Sequence, residues 1–247
     1  MRAHHLSMSR MSLAYLCAYG FRPDVAQYPR PPGRPARVGS NVHTLIEQHV
    51  KGKPLSLIGD ESEQAEALEM FSPPLMAWLD RTTWTACEIG IRYDAAADKS
   101  EMGARRGEAG YSEVTPSVLI GTLDLVHVDG DLVTVVDAKS GKLVKDTEQL
   151  RAQAVAASRL YGAKRARVGY VYARKTKCDE PKWLDLSEDD LDAEAGRIGT
   201  LLRKLPMAEP NPCDHCWKCD ARPGCPAYGA EAAESRMADL EGAGMFG

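Results

Sequence analysis

The chain has 247 residues, a mass of 27.0 kDa and a formal charge of −4, enough for one substantial core and too acidic for a uniformly basic nucleic-acid binder. Its 44% hydrophobic and 27% charged residues match an ordinary globular protein. No apolar run approaches the ~18 residues that cross a bilayer. The opening MRAHHLSMSRMSLAYLCAYG sets arginines before a short apolar stretch, but Arg10 splits it and no small-residue cleavage site follows, so the expectation is a cytoplasmic chain with no membrane partner.

In chain order, residues 6–20 read as a helix stopping near Gly20. PRPPGRPAR (29–37) reads as a loop. GSNVHTLIEQHVKG then starts a helix, with Ser40 or Asn41 as N-cap and Val42, Leu45, Ile46 and His49 along one face. Residues 61–80 continue as helix, broken near Pro73–Pro74, and TACEIGIRYD (85–94) has strand character. The polar, Gly-rich stretch 99–113 reads as a loop. A hairpin follows over 121–142, then a helix over 147–161, an alternating strand over 165–175 and a helix from about 187 to 204. A cysteine cluster and a polar tail close the chain. This order describes an α/β fold, a mixed sheet covered by helices.

The hairpin GTLDLVHVDGDLVTVVDAKSGK is apolar except where Asp124, Asp137 and Lys139 interrupt it. Asp129–Gly130 reads as the centre of a two-residue turn, which pairs Val128 with Asp131 and sets Asp124 diagonal to Asp137 on one face, with Lys139 beside it. Two such carboxylates repel unless a divalent cation lies between them, and oxygen ligands suit Mg²⁺ or Mn²⁺. Lys139 stands where it can orient a water or stabilise hydroxide. Taken alone, D-x-K is also what a surface salt bridge at a strand end looks like.

Charge is unevenly spread. Eleven Lys/Arg against two Asp/Glu lie between Lys139 and Lys177, and six Arg against Asp24 alone lie in residues 1–38. Basic segments flanking an acidic hairpin fit a phosphate backbone laid over a metal centre, with Arg10, Lys142 and Lys145 as candidate DNA contacts. Of seven cysteines, Cys213, Cys216, Cys219 and Cys225 crowd thirteen residues, which points to a metal rather than to disulfides. These four could close a tetrahedral Zn²⁺ site, with His215 a further possible ligand. Cys87, inside a strand-like run, reads as a buried apolar thiol.

Together these segments resemble the PD-(D/E)xK nuclease superfamily, in particular its RecB-like branch. LSMSRMSLAYLCAYGF looks like that branch's opening Ser-x-x-Arg helix with its cysteine, and GSNVH resembles its Gly-x-x-x-His helix. GTLD matches Gly-x-x-Asp, VVDAKSGK matches the D-x-K element, and QLRAQ falls where the branch has Gln-x-x-x-Tyr, with Gln153 in place of the tyrosine. The resemblance spans about residues 6–228. It implies a single domain with a restriction-endonuclease-like core: an N-terminal helical part at 6–50, a catalytic sheet at 85–175, a C-terminal helix and cysteine clasp at 187–228, and a tail at 229–247.

The resemblance also implies a divalent cation on His43, Asp124, Asp137 and the Ala138 carbonyl, with Lys139 and Gln149 as catalytic residues. It further implies a [4Fe–4S] cluster on Cys17, Cys216, Cys219 and Cys225, with Cys213 an alternative ligand. The expected activity is Mg²⁺- or Mn²⁺-dependent DNA hydrolysis, as an exonuclease on single strands or ends. The alternative is a catalytically weak DNA-end-binding subunit working with recombination or CRISPR-adaptation proteins.

Overall fold

The computed structural model describes residues 6–22, 24–25, 31–57, 59–105, 108–111, 115–211, 213, 216 and 219–227. His215 and the tail from 228 onward lie outside these residues. The described strands are β1 (Leu6–Ser7), β2 (Ala86–Asp94), β3 (Lys99–Gly103), β4 (Val118–Asp129), β5 (Leu132–Lys139), β6 (Arg165–Ala173), β7 (Cys178–Asp179) and β8 (Leu184–Leu186). The described helices are α1 (Met11–Leu16), α2 (Arg34–Val50), α3 (Glu61–Met70), α4 (Pro73–Leu79), α5 (Glu148–Tyr161) and α6 (Glu188–Lys204). None of the described helices is long and apolar enough to cross a membrane.

The strands form one mixed sheet in the order β3-β2-β4-β5-β6-β7, with β1 joined to β4 and β8 to β6. β5 and β6 run parallel, linked through α5, while β2, β4 and β5 form an antiparallel meander. Helices cover both faces. Met11 and Ala14 of α1, Leu150 to Ala157 of α5 and Leu191 to Leu202 of α6 pack on one core with Ile91, Leu123 and Val135. Val38, Val42, Leu45 and Ile46 of α2, with Phe71, Leu75 and Trp78, pack on the other with Leu125, Val136 and Val171. This α/β architecture, a central mixed sheet flanked by helices, is the expected one and is consistent with a restriction-endonuclease-like core.

Several local expectations are corrected. Residues 6 and 7 are a strand parallel to Leu119 and Ile120, because buried Leu6 completes the sheet edge. α2 begins at Arg34, with Gly33 as N-cap and Pro35 in its first turn. Proline has no N–H to lose there, so the Pro-rich stretch launches the helix instead of delaying it to Ser40 or Asn41. Residues 99–103, read as loop, pair with β2 as β3. β7 and β8, short strands paired with β6, were not expected; the remaining helices and strands fall where the sequence put them, and Ser187 caps α6 reciprocally with Asp190.

The hairpin turn is also displaced. Asp129 pairs with Leu132, so Gly130 and Asp131 are the central residues, and Gly130 alone has positive φ (56°). That is the type II′ pattern, with glycine first, rather than the type I′ pattern expected of Asp129–Gly130. The one-residue shift keeps every side chain on its face but changes its opposite number.

Gly121 opens the Gly-x-x-Asp segment for a steric reason. A Cβ there would lie 2.6 Å from Met8 Sδ and 2.9 Å from Met8 Cγ. Met8 is fully buried and follows β1, so Gly121 lets the N-terminal segment lie flat on β4. Gly121→Val is expected to cost about 1–3 kcal/mol through overpacking, read as a lower urea midpoint at unchanged slope. An unchanged midpoint would remove this packing role.

Candidate metal centre and cysteine cluster

The centre lies where the sheet splits. β4 pairs with β1 at residues 119–120 and with β5 at 125–129, so residues 121–124 have no partner strand on that edge. One step beyond the last rung, Leu125 with Val136, Asp124 faces Asp137 directly across the split instead of diagonally. Both carboxylates are almost fully buried, at 5% and 2% exposure.

Each carboxylate is held from a different layer. Asp124 Oδ2 accepts the Ala138 N–H at 2.8 Å, a donor that the split would otherwise strand. It also lies 3.5 Å from His43 Nδ1, on α2. Asp137 is gripped from α5: Gln149 Nε2 donates to its Oδ1 at 2.5 Å and Gln153 Nε2 at 3.0 Å. Asp137 Oδ2 is met by the Lys139 ammonium, with Nζ 2.5 Å away. Lys139 in turn reaches Gln149 Oε1 at 3.3 Å and lies 5.4 Å from the Tyr170 ring centroid. Lys139, Asp137 and Gln149 thus close a ring of contacts at the end of β5.

Glu88 was not legible as a site residue. It stands in β2 opposite Asp124, and its Oε1 is 2.8 Å from His43 Nδ1. Its φ is +51°, and the β2–β4 ladder, regular from Cys87–Leu125 to Ile89–Leu123, lacks the Glu88–Asp124 rung. Cys87 packs on the α2 side, yet Glu88 also meets His43 of α2, so the strand's alternation breaks here. A left-handed glutamate costs on the order of 1 kcal/mol or more and persists only because its surroundings enforce it. Within one strand a glutamate usually marks the solvent face, so the sequence carried no signal for it.

The charges are strongly linked. Burial pushes the Asp124 carboxyl well above its usual range, and Asp137 and Glu88 add to this against the pull of His43. For His43 burial disfavours charge, but Asp124 and Glu88 outweigh it and raise the imidazole to about 10. Lys139 behaves alike: burial opposes the ammonium, while Asp137 and Asp124 hold its pKa above the usual value. Two cations thus stand against the carboxylates. Among the described residues, His43, Glu88 and Asp124 are the group whose ligand atoms all lie within 4.8 Å of one another.

Of the proposed DNA contacts, Lys142 and Lys145 are exposed on the loop after β5 and have no ion-pair partner among the described residues. Arg10 is half-exposed and paired with Asp220. Much of the basic stretch is already neutralised locally: Arg159 meets Asp98 and Asp192, Arg165 meets Asp131, and Arg167 meets Asp185.

Apart from these residues, Cys17, Cys213, Cys216, Cys219 and Cys225 line one cavity with Leu13, Tyr19 and Gly20. Cys17 does not sit within the helix but caps α1 in an extended conformation, its Sγ accepting the Asn211 N–H at 3.4 Å. The Cys213 N–H donates to Cys216 Sγ at 3.1 Å. A Cβ at Gly20 would lie 2.9 Å from Cys219 Sγ, so a side chain there would push that thiol aside. Burial raises the Cys219 thiol, with the charges of Cys17, Cys216 and Cys225 adding to it. Cys87 sits apart, buried, its thiol pushed up to about 12 mainly by burial, as expected of an inert core cysteine.

Gln153, fully buried, bridges the split: its Nε2 also reaches the Thr122 carbonyl of β4 at 3.3 Å. Gln153→Leu would remove the shared donor from both strands and is expected to cost about 1–3 kcal/mol in chemical denaturation. Wild-type stability in that variant would mean that the bridge carries no load.

The PD-(D/E)XK nuclease superfamily matches residues 5–226 of this chain. Solved structures that it resembles include the crystal structure of SSO0001, at 15% identity over 77% of this chain and 85% of that one, with a TM-score of 0.37. Another is a protein of Eubacterium rectale provisionally named an exonuclease, at 14% identity over 87% of each chain, with a TM-score of 0.45. No curated protein sequence matches the chain. With nearly its whole length matched, the chain belongs to the PD-(D/E)XK nuclease superfamily.

Proposed function

We propose that the chain is a divalent-metal-dependent DNA nuclease of the RecB-like branch, an exonuclease acting on single strands or duplex ends, with residues 1–247 working as one domain. The observation that carries this reading is the pair of buried carboxylates, Asp124 and Asp137, facing each other across an open split with Lys139 Nζ 2.5 Å from Asp137.

The donors fit an Mg²⁺ or Mn²⁺ ion. They are oxygen-rich with one imidazole, and ligand atoms of His43, Glu88 and Asp124 lie within 4.8 Å of one another. His43, Asp124, Asp137 and the Ala138 carbonyl would hold the cation, and the closeness of Glu88 to His43 and Asp124 adds it to the set. When bound, such an ion supplies Lewis-acid stabilisation of the charge developing on the phosphate and acidity for an attacking water.

The chain's own residues do the rest. Lys139, held as an ammonium, donates to a phosphate oxygen or to the attacking water and does not accept its proton. Gln149 fixes both Lys139 and Asp137, so the two keep their spacing as the phosphate changes shape. Gln153 stands where the branch has a tyrosine and takes the part of a second amide clamp on Asp137. Lys142, Lys145 and the exposed side of Arg10 would bind backbone phosphates, making binding steeply salt-dependent. Recombination or CRISPR-adaptation proteins are the partners that the branch implies.

At the cysteine clasp we favour a [4Fe–4S] cluster on Cys17, Cys216, Cys219 and Cys225 over zinc. Cys17 lines the same cavity as Cys213, Cys216, Cys219 and Cys225, which brings the N-terminal ligand of the branch's cluster to the C-terminal triplet.

Two measurements test these readings. Labelled single- and double-stranded DNA incubated with Mg²⁺ or Mn²⁺ should be degraded, with EDTA abolishing the reaction and Asp137→Ala or Lys139→Ala lowering the rate about 10²–10⁴-fold. Intact DNA under all these conditions, or an unaffected Asp137→Ala variant, would leave only the end-binding reading. Anaerobically purified protein should be brown, absorbing near ~400 nm, and lose the colour in Cys219→Ser. A colourless preparation with stoichiometric zinc would refute the iron–sulfur assignment.

A further inference from the structure

The loop between β5 and α5, residues 140–147, presents an apolar tip that the nuclease reading leaves unused. Leu143 is 66% exposed and Val144 39%, and both flanking residues, Lys142 and Lys145, are exposed cations. Apolar side chains on a mobile loop can fold back on the surface at little cost. This loop's backbone is tied down instead. Tyr172 Oη accepts the Val144 N–H at 2.7 Å, Arg174 Nη1 donates to the Gly141 carbonyl at 2.6 Å, and Tyr170 Oη donates to the Asp146 carbonyl at 3.1 Å. Asp146 Oδ1 then accepts the Glu148 N–H at 2.8 Å, joining the loop to the start of α5. The anchoring tyrosines are on β6, beside the strand that carries Asp137 and Lys139, and Arg174 follows directly after it.

The tip is therefore held out in water at a fixed place, four residues beyond Lys139 and six before Gln149. Transferring two such side chains out of water is favourable only if a partner offers an apolar surface. The flanking lysines name the chemistry of that partner: anionic close to the tip, flat and apolar at it. Nucleotides combine both, with anionic phosphates along the strand and flat apolar base faces beside them.

Resting on the nuclease reading, we propose that Leu143 and Val144 pack as a wedge against the unstacked bases of the DNA strand whose phosphates enter the site. Lys142 and Lys145 hold the adjacent phosphates. The wedge favours a single strand or a frayed end over an intact duplex, because only unstacked bases expose a face to it.

The test is equilibrium binding of labelled oligonucleotides by fluorescence anisotropy, with EDTA present so that the strand stays intact. Three ligands are compared: a single strand, the same strand with consecutive abasic sites, and a blunt duplex. Wild-type protein should bind the normal strand about tenfold more tightly than the abasic one. Leu143→Ser/Val144→Ser should bind both strands alike, with the salt slope unchanged, while Lys142→Ala/Lys145→Ala should flatten that slope by about 0.7 per lost contact. The abasic comparison on wild-type protein needs no variant to fold.

Equal wild-type affinity for normal and abasic strands overturns the wedge, as does a serine variant that weakens both equally. Unchanged base discrimination in the serine variant, with loss of a co-purifying protein, assigns the tip to a protein partner and also overturns it. In all these cases metal-dependent cleavage would leave the nuclease reading standing. A wild-type protein that binds none of the ligands and cuts none of them sinks both.

Discussion

Two acids buried face to face are the constraint around which this structure is arranged. Removing a carboxylate from water carries an effective penalty of several kcal/mol per ion, against a total folding margin of about 5–15 kcal/mol. Asp124 and Asp137 therefore cannot be tolerated as ordinary strand residues. Their surroundings supply compensation from every side: an ammonium from β5, an imidazole from α2, two amides from α5 and a backbone N–H from Ala138. Removing any one donor leaves the others closer to imbalance, so the site is collective rather than a sum of pairs.

The split in the sheet is what makes that compensation possible. Had β4 and β5 stayed zipped, the Ala138 N–H would bond across the ladder and the carboxylates would be pressed together without room for a counter-charge. Both edges of β4 are interrupted at this level. β1 occupies the same edge of β4 that β5 uses farther along, so the gap between them has a fixed length. Glu88, turned by its positive φ, breaks the ladder on the other edge at the same level and brings a third carboxylate to His43. Gln153 spans the gap as a polar bridge, touching Thr122 on one side and Asp137 on the other.

The ends of the chain are coupled to this gap. β1 leads into α1, whose C-cap is Cys17, and the C-terminal segment returns to it: Asn211 bonds Cys17 Sγ and the Leu16 carbonyl, and Asp220 pairs with Arg10. The segment that bounds the split is thus the segment that the cysteine cavity grips.

Much of this was readable from the amino-acid sequence because it depends on local pattern. Alternating and helical periodicities located the major strands and helices, and Asp124, Asp137 and Lys139 betrayed themselves as charges inside apolar strands. Cysteine spacing marked the C-terminal cavity. Apart from the start of α2, which Pro35 sets locally, the errors share one cause, which is that near neighbours could not decide them. Leu6–Ser7 and Lys99–Gly103 are strands only because β4 and β2 are beside them, and the turn moved one residue because the whole β4–β5 register, not the Asp129–Gly130 dipeptide, fixed it. Glu88 stayed invisible for the same reason: its place beside His43 arises from a backbone distortion that only packing enforces. Sequence determined which side chains carry the chemistry, since charge and polarity belong to the residue. Tertiary structure alone decided which of them meet, since a split ladder exists only between strands far apart in the chain.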